Sequence, residues 1–332
     1  MVYLPLMERK ADVLVALPAF NEETTVFQVV SGIPRESFGA GIDILTVDDG
    51  STDSTAERAG KAGSRVVSHG RNLGLGEAFR TSLEYAREHG YRAMVTIDSD
   101  GQFDPAHIPL LLGPVLEGRA DFVTASRFSD RGLLPDMPGI KVWGNRRVAR
   151  LVSRLSGIDI DDATCGFRAY GPAALEKLSS FSRFTYTQEV IIDLASKGLS
   201  IMEVPVRVLG RRPHGDSRVA RSLWRYAFLS LAAMYSISHD HRPWKFYGIP
   251  ALVLFITGIA ADLFVLTRWI LVGRISPFTA VGLGGLFLIT FSVLLFLFAS
   301  LADTASHNRR LIESILSDRI RSKRERGGTG DQ

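Results

Sequence analysis

Ala93-Met94-Val95-Thr96-Ile97-Asp98-Ser99-Asp100-Gly101-Gln102 is the stretch on which the fold turns. Its first five residues read as a short buried strand, and two carboxylates one residue apart follow at once. Ligands of open α/β sheets bind in the crevice outside the carboxyl ends of the strands, so these acids fall at the ligand rim. An Asp-x-Asp pair can hold a hard divalent cation through oxygen, and such a cation usually completes its shell with substrate phosphates. The same pair also reads as a solvated turn, and the stretch alone leaves both readings open.

Working outward, strand and helix signals alternate over the first 125 residues. Val13 to Leu17 is a buried-strand run ended by Pro18. Asn21 stands where it can cap the following helix, with Glu22 and Glu23 in the first turn, where the helix dipole favours anions. Ile42 to Val47 is a second strand, ended by Asp48-Asp49-Gly50, and Ser51 or Asp53 caps the next helix. Arg65 to Ser68 is a third. Leu75, Phe79, Leu83 and Ala86 recur at helical spacing and predict an amphipathic helix over 75–89. Ala93 to Ile97 and Asp121 to Thr124 complete five strands. This alternation predicts an α/β fold with a mostly parallel sheet and helices on both faces. Three strand ends, at Pro18–Glu22, Asp48-Asp49 and Asp98/Asp100, then share one rim and form a nucleotide crevice. Helix capping accounts for Asp53 and less well for Asp49, Asp98 and Asp100.

The rest of the chain differs in kind. Residues 1–210 carry 23 Lys/Arg and 27 Asp/Glu, whereas residues 211–332 carry 16 and 8. A basic region suits nucleic acid or an anionic membrane surface. Its apolar runs favour membrane and argue against nucleic acid. Phe246 to Ile270 is broken only by Asp262 and Arg268, and Ala280 to Leu301 has no charge. Each exceeds the roughly 20 residues needed to cross a hydrocarbon core. Asp262 is expensive in a span and is expected to face a partner helix. Lys/Arg near the span ends set orientation. Arg218, Arg221, Arg225, Arg242 and Lys245 precede the first span. Arg309, Arg310, Arg319, Arg321, Lys323, Arg324 and Arg326 follow the second, and the connecting loop offers Arg268 and Arg274. Both termini are therefore expected on the cytoplasmic side with the body. Leu223, Trp224, Tyr226, Phe228 and Leu231 alternate with Arg221 and Arg225 as an amphipathic helix on the bilayer surface. The expected domains are a body over 1–215, an interfacial region over 216–243, two spans over 244–306 and a basic tail over 307–332. The single cysteine, Cys165, excludes an intrachain disulfide and argues against a Cys-based metal site.

Four motifs occur in order: Pro18-Ala19-Phe20-Asn21-Glu22, Val47-Asp48-Asp49-Gly50-Ser51-Thr52-Asp53, Asp98-Ser99-Asp100-Gly101-Gln102 and Cys165-Gly166-Phe167-Arg168-Ala169. With them the body resembles family 2 glycosyltransferases, in the dolichol-phosphate mannose synthase and polyprenyl-phosphate glucosyltransferase branch, over residues 10–235. The resemblance implies a GT-A fold, a nucleotide-sugar donor such as GDP-mannose, UDP-glucose or UDP-N-acetylglucosamine, a Mg2+ or Mn2+ ion, and a membrane polyprenyl phosphate acceptor. By position it implies that Pro18, Phe20, Glu22, Val47 and Asp49 hold the base and ribose. Asp98, Ser99, Asp100 and Gln102 would lie at the diphosphate, with Asp98, Asp100 and Gln102 at the metal. Arg127 would face the phosphates, Arg212 and Arg218 would close on the donor, and Lys141 with Asn145 or Arg146 would lie at the acceptor phosphate. Asp100, Arg127, Lys141 and Asn145 are the expected catalytic set. The implied reaction is a single in-line displacement with inversion, and a homo-oligomer is compatible with it. Two departures stand out: Gly74-Leu75-Gly76 where relatives often have Gly-Lys-Gly, and Ser99 where alanine is commoner. The Gln-x-x-Arg-Trp motif of processive polysaccharide synthases is not matched, since Arg268-Trp269 has Val265 at the glutamine position. A catalytically silent scaffold is the reading from another class, and the intact Asp98, Asp100 and Gln102 argue against it.

Overall fold

The computed structural model describes residues 11–130, 132, 137, 139–178, 186–209 and 244–327. The chain divides into two compact units, Met1–Ala233 and Met234–Gln332.

In the first unit, eight strands make one sheet: β1 (Val13–Ala19), β2 (Glu36–Ser37), β3 (Ala40–Asp48), β4 (Arg65–Ser68), β5 (Ala93–Thr96), β6 (Phe122–Ser126), β7 (Arg168–Tyr170) and β8 (Ile201–Pro205). Their order is β2-β3-β1-β5-β7-β6-β8, with β4 beside the far half of β3. Every residue of β1 is buried. It lies between β3 and β5, and a central parallel strand covered on both faces needs a continuous apolar run. Helices α1 (Val26–Gly32), α2 (Thr55–Lys61), α3 (Leu75–Glu88), α4 (Ile108–Leu116), α5 (Gly139–Ser156), α6 (Pro172–Lys177) and α7 (Thr187–Ser196) connect the strands. The expected helix over 75–89 is α3, which buries Phe79, Leu83 and Ala86.

Six strands point one way, as expected, but β7 runs antiparallel between β5 and β6. It escaped the apolar pattern because it is three residues long and begins with Arg168. That arginine is wholly buried. Its guanidinium lies 5.5 Å from the Phe122 ring centroid and 5.9 Å from that of Tyr186, and Nη2 donates to the Ala163 carbonyl at 3.3 Å. Asn21 does not cap α1, which starts at Val26 behind Thr25. It adopts a left-handed backbone, φ 52°, and its Oδ1 accepts the Thr52 N–H at 2.7 Å.

The second unit holds a π-helical turn (Trp244–Gly248), α8 (Ile249–Val272) and α9 (Thr279–Gly327). Phe246–Val272 and Thr279–Asn308 are long and apolar enough to cross a membrane, and only 11% of either apolar window is buried. That exposure is what a soluble core helix would not tolerate. The two helices touch where side chains are smallest. A Cβ on Gly258 would lie 2.8 Å from the Gly285 carbonyl oxygen, and one on Gly285 would collide with the Asp262 carboxylate. Asp262 thus faces α9, as its cost in a span predicts. The expected interfacial helix over 216–243 lies outside the described residues.

Candidate active site

Side chains and backbone groups stitch three strand ends together. The Ser99 hydroxyl donates to the Pro18 carbonyl at 2.9 Å, and the Thr25 hydroxyl donates to the Ser99 carbonyl at 2.7 Å. These bonds join the end of β5 to the end of β1. The Asn21 N–H donates to Ser51 Oγ at 2.8 Å, and the Glu22 N–H donates to Thr55 Oγ1 at 2.8 Å. These join the end of β1 to the loop after β3. Three of the four motifs are one bonded rim at the carboxyl ends of adjacent parallel strands, the crevice position.

Asp49 acts within this rim. Its carboxylate accepts the Leu73 N–H at 2.9 Å and the Gly74 N–H at 2.8 Å, and Oδ1 lies 2.8 Å from His69 Nδ1. Gly50, at φ +74°, lets the Arg71–Asn72 backbone approach to where a Cβ would sit 2.5 Å from the Arg71 carbonyl carbon. Asp49 and Gly50 together pin the 69–74 loop that launches α3. Asp53 does serve a helix start: Oδ1 accepts the Thr55 N–H at 3.0 Å.

The end of β5 has another character. Asp98 is half-buried and Asp100 buried. The Asp98 carboxylate packs on the bare Cα of Gly166, where a Cβ would lie 2.9 Å from Oδ1. The motif glycine is therefore the space the carboxylate occupies. Asp100 Oδ1 accepts the Gln102 N–H at 3.0 Å in a tight turn. Gln102 Nε2 donates to the Leu209 carbonyl at 3.0 Å, so the motif also holds the segment that follows β8. Among the described residues no group of three or more His, Cys, Asp or Glu side chains is arranged as a metal cage. Two carboxylates and an amide oxygen suit a cation that keeps water and takes substrate phosphate as its remaining ligands, and the donors here fit that type.

Beside them stands a network the motifs did not reveal. Arg127, expected to face phosphates, turns its fork inward: Nε donates to Asp162 Oδ2 at 2.6 Å, Nη2 to Asp162 Oδ1 at 2.9 Å and to Thr164 Oγ1 at 2.5 Å. Its backbone N–H donates to Asp162 Oδ2 at 3.1 Å. Asp162 is wholly buried. Burial works against its charge, yet Arg127 beside it holds the carboxyl below its usual range. Burial likewise disfavours the guanidinium, and Asp162 overrides that and raises it. Nη1 is the nitrogen that the fork leaves for another group. The Asp162 backbone is fixed from behind, because Glu203 on β8 accepts the Asp161 and Asp162 N–H groups, each at 2.8 Å. Burial raises the Glu203 carboxyl to about 6. Thr164 Oγ1 lies 3.4 Å from Asn145 Oδ1, which ties α5 to the network.

Of the other expected residues, Pro18 and Val47 are buried, and Phe20, Glu22, Lys141 and Asn145 are half-buried. Arg146 is exposed on α5. Arg212 and Arg218 lie outside the described residues. Phe167 is core, 5.3 Å from Phe103 ring to ring, and Cys165 is buried, its thiol pushed up to about 12 by burial. Asp162, Thr164 and Glu203 were missed. The available signals were the doubled acid of Asp161-Asp162 just before the glycine motif and a lone acid inside the apolar run of β8.

Comparison with known proteins gives one picture. The family model described as Glycosyl transferase family 2 matches residues 14–179. The UDP-N-acetylglucosamine–dolichyl-phosphate N-acetylglucosaminyltransferase of Methanococcus voltae is 30% identical over 221 residues, covering 60% of this chain and 87% of that protein. The polyprenol monophosphomannose synthase of Mycolicibacterium smegmatis is 29% identical over 231 residues, covering 66% and 85%. Among solved structures, glucosyl-3-phosphoglycerate synthase of Mycobacterium tuberculosis with Mn2+, UDP-glucose and phosphoglyceric acid superposes with a TM-score of 0.53 at 26% identity, covering 69% of this chain and 80% of that one.

Proposed function

The chain belongs to glycosyl transferase family 2, and from that premise we propose that it transfers a hexose from a nucleotide sugar to the phosphate of a membrane polyprenol, with inversion at the transferred carbon. The body has the GT-A fold. The observation that carries the reading is the bonded rim: hydrogen bonds through Ser99, Thr25, Asn21 and Glu22 join the ends of β5, β1 and β3, and Asp98 and Asp100 stand at the β5 end of it. The two similar proteins named above are a dolichyl-phosphate N-acetylglucosaminyltransferase and a polyprenol monophosphomannose synthase, and the long apolar helices α8 and α9 suit a membrane acceptor.

The residues divide the work by chemistry. Asp98, Asp100 and the Gln102 amide oxygen would hold a divalent cation, Mg2+ or Mn2+, which would supply Lewis-acid charge neutralisation for the leaving diphosphate; the similar glucosyl synthase contains Mn2+ with UDP-glucose. Phe20 and Glu22 line the base and ribose, while Pro18, Val47, Asp49 and Ser99 shape that wall from behind. Arg127 offers Nη1, on a guanidinium already oriented by Asp162. Arg212 and Arg218 add charge-assisted hydrogen bonds to phosphate oxygens. Lys141 and Asn145, with Arg146, receive the acceptor phosphate. That acceptor is anionic at neutral pH, so the reaction needs no dedicated general base. A body over 1–215, an interfacial region over 216–243, spans over 244–306 and a cytoplasmic tail complete the arrangement, with both termini cytoplasmic.

The sugar is decided by experiment. Membranes carrying the chain are incubated with polyprenyl phosphate and a panel of labelled donors, namely GDP-mannose, UDP-glucose and UDP-N-acetylglucosamine. One donor is expected to label the lipid fraction, and Asp100→Ala to abolish the label. No labelled lipid with any donor, or equal labelling by Asp100→Ala, overturns the reading.

A further inference from the structure

A cavity of about 340 Å³ opens at the amino ends of the parallel strands β1, β3 and β4. Ligand pockets begin at about 300 Å³, so it has room for a small molecule. It lies at the opposite edge of the sheet from the bonded rim. Asp43 stands in it near the start of β3, and Asp49 follows the other end of that strand. Six residues of extended chain put the two about 20 Å apart. Arg65, the first residue of β4, lines the cavity, and so does Tyr85 from the last turn of α3.

Two exposed arginines face this space. Arg35 donates to backbone carbonyls behind α2, Nη1 to Gly63 at 3.3 Å and Nη2 to Ala62 at 3.1 Å. Arg65 bonds the Tyr85 hydroxyl through Nη1, and its guanidinium lies 5.8 Å from the centre of that ring. Neither arginine forms an ion pair with a carboxylate among the described residues. The one carboxylate in the cavity, Asp43, accepts the Tyr91 hydroxyl on Oδ2 at 2.8 Å. Burial and that hydrogen bond raise the Tyr91 phenol, so Tyr91 stays the donor. Asp43 Oδ1 is left for a second donor. Leu14 and Ile44 supply an apolar floor. Two guanidiniums that no carboxylate neutralises call for an anion, and their planar forks fit phosphate oxygens. An ionised carboxylate can only accept, so beside them it needs a hydroxyl. A ring and two aliphatic side chains suit a compact carbon skeleton. We propose that this cavity is a second ligand site, for a phosphomonoester of a sugar or similar polyol. Arg35 and Arg65 take the phosphate, Asp43 takes a hydroxyl, and Tyr85, Leu14 and Ile44 take the carbon skeleton. The site is independent of the glycosyl-transfer reading and of the crevice that carries it.

The test is titration calorimetry on the full chain in detergent, with glucose 6-phosphate, inorganic phosphate and glucose as probes. Glucose 6-phosphate is expected to bind, phosphate to bind more weakly, and glucose to give no heat. Arg65→Gln should weaken glucose 6-phosphate by about tenfold or more, the worth of one hydrogen bond to a charged group. Arg65 is exposed, and a parent-like melting curve shows that the loss is not a loss of fold. Arg35→Gln gives a second, independent reading. Asp100→Ala, at the other edge of the sheet, should leave the binding unchanged, as should Arg119→Gln on the surface. No binding of glucose 6-phosphate, or binding that both Arg65→Gln and Arg35→Gln leave intact, overturns the proposal. So does loss of binding in Asp100→Ala, which assigns the ligand to the crevice at the carboxyl ends. Phosphate binding as tightly as glucose 6-phosphate overturns it too, because Asp43 then recognises no hydroxyl.

Discussion

The ends of β3 and β5 look alike as sequence and differ as structure. Both finish an apolar strand with two acids and a glycine within four residues. At β3 the Asp49 carboxylate holds a loop more than twenty residues away, accepting the N–H groups of Leu73 and Gly74. At β5 the Asp98 carboxylate rests on Gly166 from an opposing strand's approach, and Asp100 turns back on its own loop. The first pair builds the rim; the second is the pair we propose as its oxygen donors. Two acids at a strand end read alike in sequence, and the bonds their carboxylates make tell the two pairs apart in the fold. Asp162 belongs with Asp49 in this division, fully engaged inside the protein.

The division breaks first at Asp162 if it is mistaken. Removing one partner of a buried ion pair costs about 3–5 kcal/mol. Asp162→Asn should lower the melting temperature more than any other change at the site, read by thermal denaturation in detergent. Arg127→Met/Asp162→Leu removes both charges, and should recover part of that stability without recovering transfer. Recovery of transfer would show that Arg127 is scaffold only.

Asp100→Asn and Asp49→Asn sharpen the contrast at equal chemistry. An asparagine at 100 keeps an oxygen for the Gln102 N–H but loses its charge, so the transfer rate should fall by about 10²-fold or more, an effect of several kcal/mol, at a near-parent melting temperature. An asparagine at 49 presents an amide where an N–H needs an acceptor. It should destabilise by about 1–3 kcal/mol and act on rate mainly through the donor KM. Rate and melting curves on both variants check the pair; interchange of the two phenotypes would overturn the division.

The rim was legible because its signals are local. Strand runs such as Val13–Leu17 end at polar motifs, and a parallel sheet aligns those ends. The motif around Arg127 singles it out in sequence, but its pairing is not legible there, because Asp162 reaches it from 35 residues on. No periodicity encodes such a pairing. Strand β7 was hidden for a related reason: Arg168 reads as a surface charge until the rings of Phe122 and Tyr186 are around it.

Glu203 gives the smallest effect and the finest test, because stability and activity should move in opposite directions. Burial favours its neutral form, so the folded chain keeps this proton up to about pH 6, whereas the unfolded chain releases it near the usual 4.5. A carboxyl raised in the folded state contributes stability fully below the lower value, and that contribution fades as pH rises through the higher one. The gap is worth about 1–2 kcal/mol at 1.36 kcal/mol per unit. The ionised form, however, is the one whose two oxygens both accept, holding the Asp161 and Asp162 N–H groups. Protonation makes one oxygen a donor and loosens the loop that orients Arg127. Between pH 6.5 and 4.5 the melting temperature should therefore gain this group's contribution while transfer declines. Glu203→Gln cannot titrate, and should remove this component of both pH dependences. Unchanged profiles in Glu203→Gln would mean that the Asp162 loop is held well enough without the β8 carboxylate, and that the network ends at Asp162.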